Sequence, residues 1–227
     1  YSASKCLESI GYVLTDGQGN VLASRNENKL FTPASTLKIL TGLTALAVLG
    51  QDYHFKTKYF YDVGKKNLYL KGFGDPVFIS EVINSFCIDL QKNAGITEIE
   101  DIVCDTSFFA PEIQIPGKGY SLNPYDSPVG AFCANFNTIF FKWNPATKDF
   151  VSAETQTPLL DIFKDKVAAA GVKKGRIMLT KKESDLYAGH LVKYFLADKG
   201  VKIYGRVTRG KMSSDTQEQV HIFTSPY

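Results

Sequence analysis

Glycine and proline cut this chain into short runs whose hydrophobic period switches between that of a strand and that of a helix, without regular alternation. Residues 10–15 and 21–24 are β-prone and flank Asp16-Gly17-Gln18-Gly19-Asn20, turn chemistry that predicts a hairpin. A helix follows. Thr32 suits its N-cap and Pro33 its first position, apolar side chains recur at Leu37, Leu40, Leu43, Thr44 and Ala47, and Gly50 stands where a C-cap belongs. Residues 55–61 and 67–70 read as strands, 79–93 as a helix stopped by Gly95, and 99–104 and 137–143 as strands. Residues 159–170 and 184–199 read as helices ended by Gly171 and Gly200, and 201–208 as a last strand. Residues 109–130, rich in Pro, Gly, Ser and Asn, read as a long loop of the kind that is functional or disordered. Helices and strands mixed in this order favour an α+β fold over a doubly wound sheet.

The 227 residues suffice for a sizeable core in one or two domains. With 26 basic against 23 acidic side chains, the net charge of +3 is too small to point to nucleic acid as a partner. The longest nearly apolar run, 39–50, is much shorter than the roughly 20 residues that cross a bilayer, so no transmembrane segment is expected. Cys6, Cys87, Cys104 and Cys133 form no C-x-x-C pair and the three histidines are scattered, so no metal site is expected, and no organic cofactor is implied. The cysteines read as small buried hydrophobes; in an oxidising compartment Cys87–Cys104 is the pair that closes the shortest loop. The chain opens Tyr-Ser-Ala-Ser-Lys, with no secretory leader among these residues.

Ser35 and Lys38 carry the chemistry. Three apart on a helix, they share a face. With Thr32 as N-cap, Ser35 falls in the first turn, where unpaired N–H groups and the helix dipole favour negative charge. A serine hydroxyl is a weak nucleophile until a neighbouring base takes its proton, and a lysine can be that base. The same spacing occurs at Ser2 and Lys5, but near a chain end, whereas Ser35 and Lys38 follow a hairpin and precede an apolar helix body able to bury the lysine. Other patterns are bland. Gly72-x-Gly74 lacks the third glycine of a dinucleotide loop and reads as a tight turn. No G-x-S-x-G elbow occurs, which disfavours an α/β-hydrolase. The lysines between 164 and 182 read as a solvated face, and Tyr120 and Tyr125 as filler.

Residues 31–46 resemble the S-x-x-K segment of the low-molecular-mass penicillin-binding proteins of the D-alanyl-D-alanine carboxypeptidase/endopeptidase type, the penicillin-binding protein 4 family. Further motifs keep that family's order. Gly72-Phe73-Gly74-Asp75-Pro76 is similar to its Gly-x-Gly-Asp-Pro, and residues 104–109 resemble its Asp-x-Ser-x-Phe strand end. Ser127-Pro128-Val129-Gly130-Ala131 with Asn135 and Asn137 resembles the next strand, and residues 187–204 a late helix and strand. The resemblance implies the N-terminal part of a β-lactamase/transpeptidase-like domain over 1–58, one or two inserted α+β domains over 59–206, and a return segment over 207–227. It implies Ser35 as nucleophile and Lys38 as general base, a peptidoglycan peptide substrate, β-lactam inhibitors, and a periplasmic or secreted location.

Two departures stand out. The family completes its site with Ser-x-Asn and Lys-Thr-Gly motifs beyond the inserted domains. Lys-Thr-Gly is absent here, and Ser-x-Asn occurs only at Ser24–Asn26 and Ser121–Asn123, before the expected place. Ser225-Pro226-Tyr227 resembles the stretch just upstream of the family's Ser-x-Asn helix. The family's long loop often carries an acidic residue for substrate recognition, whereas residues 118–123 hold no carboxylate and Asp126 lies just beyond. The alternative to a peptidase is a non-catalytic fragment or binding module of the same ancestry. These 227 residues alone are expected to be nearly inactive: D-alanine release should fall on the order of 100–1,000-fold or more below a complete relative, since one missing oxyanion donor costs that much.

Overall fold

The computed structural model describes residues 10–111, 113, 115–213 and 220–226, and these divide into two compact units at Tyr53/His54. Cys6 and the Ser2–Lys5 pattern lie outside the described residues. In the first unit β1 (Tyr12–Thr15) and β2 (Val21–Arg25) form the expected antiparallel hairpin, with Tyr12 opposite Arg25. The Asp16 carboxylate closes its turn by accepting from the Gln18 and Asn20 N–H groups and the Asn20 amide. A helical turn, Ala34–Thr36, then leads into α1 (Leu37–Leu49), which ends at Gly50 with φ +85°. The N-terminus differs from expectation. Thr32 does not cap it, because the chain tightens into that turn first, with the Thr36 N–H donating to the Pro33 carbonyl at 3.0 Å.

The second unit holds β3 (Lys56–Asp62), β4 (Asn67–Gly72), α2 (Ser80–Ala94), β5 (Glu98–Ile99), β6 (Ile102–Asp105), β7 (Thr138–Asn144) and β8 (Asp149–Ser152). It continues with α3 (Lys164–Ala168), β9 (Lys174–Met178), α4 (Lys181–Asp198), β10 (Lys202–Ile203), β11 (Val207–Arg209) and β12 (His221–Thr224). A mixed five-stranded sheet runs β11-β6-β4-β3-β12, with β4, β6 and β11 parallel and β3 antiparallel to both its neighbours. A three-stranded antiparallel sheet, β8-β7-β9, and a parallel pair, β5-β10, complete it.

Alternation explains the main sheet: Leu68 and Leu70 of β4 point into the core and Tyr69 and Lys71 away from it. Against that face pack Ile83, Phe86 and Leu90 of α2 and Tyr187, Leu191 and Val192 of α4. The β1–β2 hairpin and the β3–β4 pair belong to different sheets.

Other differences have local causes. The helix expected over 159–170 is a short turn, Asp161–Phe163, followed by the five residues of α3, because Leu160 stays extended and is buried. The helix expected from 184 starts at Lys181, set by a capping box in which Thr180 accepts from the Glu183 N–H and the Glu183 carboxylate from the Thr180 N–H. Residues 201–208 split into β10 and β11. Strands β8 and β9 carried no clear strand signal, since four or five residues with charges and Gly175 show a strand only once a neighbour pairs with them, and β12 is a run of only four residues.

The Cys87–Cys104 disulfide does not form. Both are buried free thiols, Cys87 against the Val192 carbonyl of α4 and Cys104 under Gly189, and burial pushes each up to about 12. Lys164 and Lys166 of the supposed solvated face pair with Asp149 and Glu183, and Lys181 with Asp185.

Gly189 lets α4 press directly on the sheet. A Cβ there would lie 2.6 Å from Cys104 Sγ and 2.7 Å from Val207 Cγ1. Gly189→Val is expected to lower stability by about 1–3 kcal/mol, read from a denaturant or thermal melt, since both neighbours belong to the packed face of β6 and β11.

Candidate active site

The structure brings Ser35 and Lys38 together: Lys38 Nζ donates to Ser35 Oγ at 2.9 Å. Local geometry produces this. Ser35 sits at the middle of the turn before α1 and Lys38 is the second residue of the helix, so the three-residue spacing spans the junction and keeps both on one face. The Pro33 carbonyl anchors the turn by accepting both the N–H and the hydroxyl of Thr36. Ala34, immediately before Ser35, has φ +46°, a left-handed conformation that costs a residue with a Cβ on the order of 1 kcal/mol or more and gathers at working sites. Acyl transfer needs a proton to run from Oγ to Nζ, and the observed contact already spans that line. Lys38 is exposed, as are Leu37, Ile39, Leu40 and Leu43 of α1, the uncovered apolar face expected of these residues without the rest of the family's site.

The downstream motifs belong to the second unit, where their visible contacts are structural. Gly74, at φ +83°, donates its N–H to the Ala131 carbonyl at 2.8 Å, and the same carbonyl would lie 2.3 Å from a Cβ on Gly72. Asp75 turns the chain by accepting from the Val77 N–H. Asn135 and Asn137 flank Phe136 in three successive left-handed residues, a conformation Asn tolerates well. The Asn135 amide oxygen accepts the Ser80 N–H at 2.9 Å, while its NH2 donates to Ser80 Oγ and, at 3.4 Å, to Tyr187 OH. Asn137 donates to the carbonyls of Pro128 and Phe132. Asp126 fastens the long loop by accepting from the Gly119 N–H and from the N–H and hydroxyl of Ser121, contacts led by the Ser121 hydroxyl that hold its carboxyl below the ordinary range.

Asp105, at the end of β6, is almost fully buried. It accepts from the Ser107 N–H at 2.8 Å and the Met212 N–H at 3.0 Å, and lies 3.5 Å from Lys71 Nζ. Burial pushes its carboxyl up; the Ser107 and Met212 hydrogen bonds and the Lys71 charge more than offset this, leaving it lowered. Asp185 was not singled out by motif reading. It is buried between Lys181 and Arg209, and the one signal for it was the i,i+4 spacing from Lys181. No helix among the described residues is long and apolar enough to cross a membrane.

The fold is that of a penicillin-binding protein. Over 90% of its length the chain resembles the crystal structure of penicillin binding protein 4 from Haemophilus influenzae, with a TM-score of 0.60 and 20% identity, covering 54% of that chain. The same protein complexed with a novel β-lactam matches with a TM-score of 0.54 and 18% identity over 92% of this chain and 52% of that one. Residues 7–173 match the D-Ala-D-Ala carboxypeptidase 3 (S13) family, and the chain belongs to that family. A D-alanyl-D-alanine carboxypeptidase of Actinomadura sp. (strain R39) is 30% identical over 109 residues, which cover 45% of this chain and 20% of that protein. A penicillin-sensitive carboxypeptidase A of Dictyostelium discoideum is 26% identical over 110 residues, 43% of this chain and 21% of its own length. The chain thus matches about a fifth of these curated relatives and about half of the solved structure.

Asp105→Ala is expected to cost about 1–3 kcal/mol in a chemical melt, since two part-buried N–H groups lose their acceptor. Because the folded carboxyl is lowered, its contribution is complete above its unfolded value of about 3.9 and fades as pH falls through the folded value. The gap between the variant and the parent should therefore narrow below about pH 4.

Proposed function

We propose that this chain supplies the nucleophile segment of a serine-type D-alanyl-D-alanine carboxypeptidase/endopeptidase acting on peptidoglycan. Ser35 Oγ attacks the carbonyl carbon of the penultimate D-alanine while its proton passes to Lys38 Nζ. The tetrahedral intermediate collapses, the C–N bond breaks, and the departing amine takes that proton. Water then hydrolyses the Ser35 ester and frees the enzyme. The observation that carries this reading is the 2.9 Å contact between Lys38 Nζ and Ser35 Oγ, inside the stretch that matches the family. A β-lactam presents a strained amide carbonyl in place of the peptide, and the related Haemophilus influenzae protein has been solved with one. Activity on peptidoglycan implies a periplasmic or secreted protein.

The proposed organisation is a transpeptidase-like piece over 1–58, an inserted α+β region over 59–206, and a return segment over 207–227. Pairing of β12 with β3 supports it. Thr224 lies opposite Lys56, so the chain returns beside the point where it entered the second unit, as an inserted region requires.

Intact-protein mass spectrometry after penicillin treatment tests the nucleophile, in a protein that joins these residues to Ser-x-Asn and Lys-Thr-Gly segments. One adduct on Ser35 is expected. Lys38→Ala should slow acylation roughly 100–10,000-fold, the usual worth of a positioned base. An adduct that persists in Ser35→Ala excludes Ser35.

A further inference from the structure

Where the long loop passes the start of α4, the second unit has a half-open cavity of about 990 Å³. Part of its lining is apolar, from Pro128, Val129 and Leu186 among others. The rest is cationic. Lys118 comes from the loop, Lys181 and Lys182 from the first turn of α4, and Arg209 from the end of β11. Asp185 is the one carboxylate among the described lining residues, so four cations against one anion leave the lining at +3. That carboxylate is already engaged. It is 3% exposed, Oδ1 takes Lys181 Nζ, and Oδ2 lies 3.5 Å from Arg209 Nη1. Arg209 is anchored again where its Nε donates to Thr106 Oγ1 at 3.1 Å. Asp185 is therefore a buried post that holds two cations at the cavity wall, and among the described lining residues a cationic ligand finds no open carboxylate. Asp126, whose carboxylate feels the Lys118 charge, is occupied by Gly119 and Ser121.

We propose that this cavity binds a short acidic peptide, its carboxylates on Arg209, Lys182 and Lys118 and its apolar parts on Pro128, Val129 and Leu186. Three features favour a peptide over a lone anion. The volume is that of a site for a ligand of many atoms. The cations come from three separate elements instead of converging on one point. The apolar walls require a body to cover them. Arginine's planar fork suits a carboxylate, and its anchorage to Asp185 and Thr106 removes part of the ordering cost of binding. No aromatic side chain lines the cavity among the described residues, which disfavours nucleobases.

The test is calorimetric titration of the 227-residue chain with N-acetyl-Ala-Glu-Ala, which carries two carboxylates, beside the neutral N-acetyl-Ala-Gln-Ala-amide. It reads binding alone and does not pass through Ser35, so its outcome is separate from that of the acylation test. Saturable one-to-one binding of the acidic peptide is expected, at least about tenfold tighter than the neutral one. Lys182→Gln and Lys118→Gln should each weaken it by about tenfold, the scale of one charge-assisted contact, and Arg209→Gln by more. Thermal melts of the two lysine variants should match the parent, which separates loss of binding from loss of fold. Equal binding of the neutral peptide, indifference to the Lys118→Gln/Lys182→Gln double variant, or no saturation up to about 10 mM overturns the proposal. So does competition by inorganic phosphate at the same concentration as the peptide, which would make the cavity a general anion site.

Discussion

At Asn135 two helices of the second unit meet on one buried side chain, just ahead of a third element. Its amide serves the first N–H of α2 through Ser80, reaches Tyr187 of α4, and stands three residues before β7 opens the second sheet. Helix α2 has no capping side chain of its own, so a residue 55 positions away does that work. In a dry interior, a group bonded on every side is held far more firmly than the same group near water, and an unmade bond there is correspondingly costly. The left-handed run from Asn135 to Asn137 turns the chain sharply enough for Asn137 to reach back to the Pro128 and Phe132 carbonyls. Loop, two helices and a sheet are thereby held in fixed relation around residues that no hydrophobic pattern marks.

Polar ties of the same kind recur wherever a family motif falls in this unit. Asp105 gathers Ser107, Met212 and Lys71, Gly72 and Gly74 admit the Ala131 carbonyl, and Asp126 folds the loop onto itself. Each is a place where backbone must approach backbone or a part-buried N–H takes a side-chain acceptor, which restricts the residue types that fit. The motifs of the second unit thus describe a scaffold, while the proposed chemistry rests on the Ser35–Lys38 contact in the first.

That contact is short-range by construction. A turn, a helix start and a three-residue spacing suffice to place Lys38 Nζ on Ser35 Oγ. The long loop behaves differently. Its composition announced a loop, but the cavity it forms with α4 and β11 depends on a helix start and a strand end about 60 to 90 positions further along the chain. Lys181 read as part of a solvated face, and folding sets it against the buried Asp185, which Arg209 also approaches.

Features that depend on neighbours a few residues apart were legible in the amino acids alone: the hairpin around Asp16–Asn20, the glycine stops at Gly50, Gly95, Gly171 and Gly200, the Ser35–Lys38 pairing, and the order of motifs that marks the family. The local pattern misplaced the start of α1 because Thr32 and Pro33 fit a regular helix as well as they fit a tighter turn. The folded chain alone reveals which strands pair, that Cys87 and Cys104 remain separate thiols, that Asn135 caps a distant helix, and that Asp185 is buried with two cations. Helical and turn preferences are written in adjacent side chains, whereas strand pairing and the burial of a polar group depend on partners 30 to more than 100 residues away, which no local pattern reports.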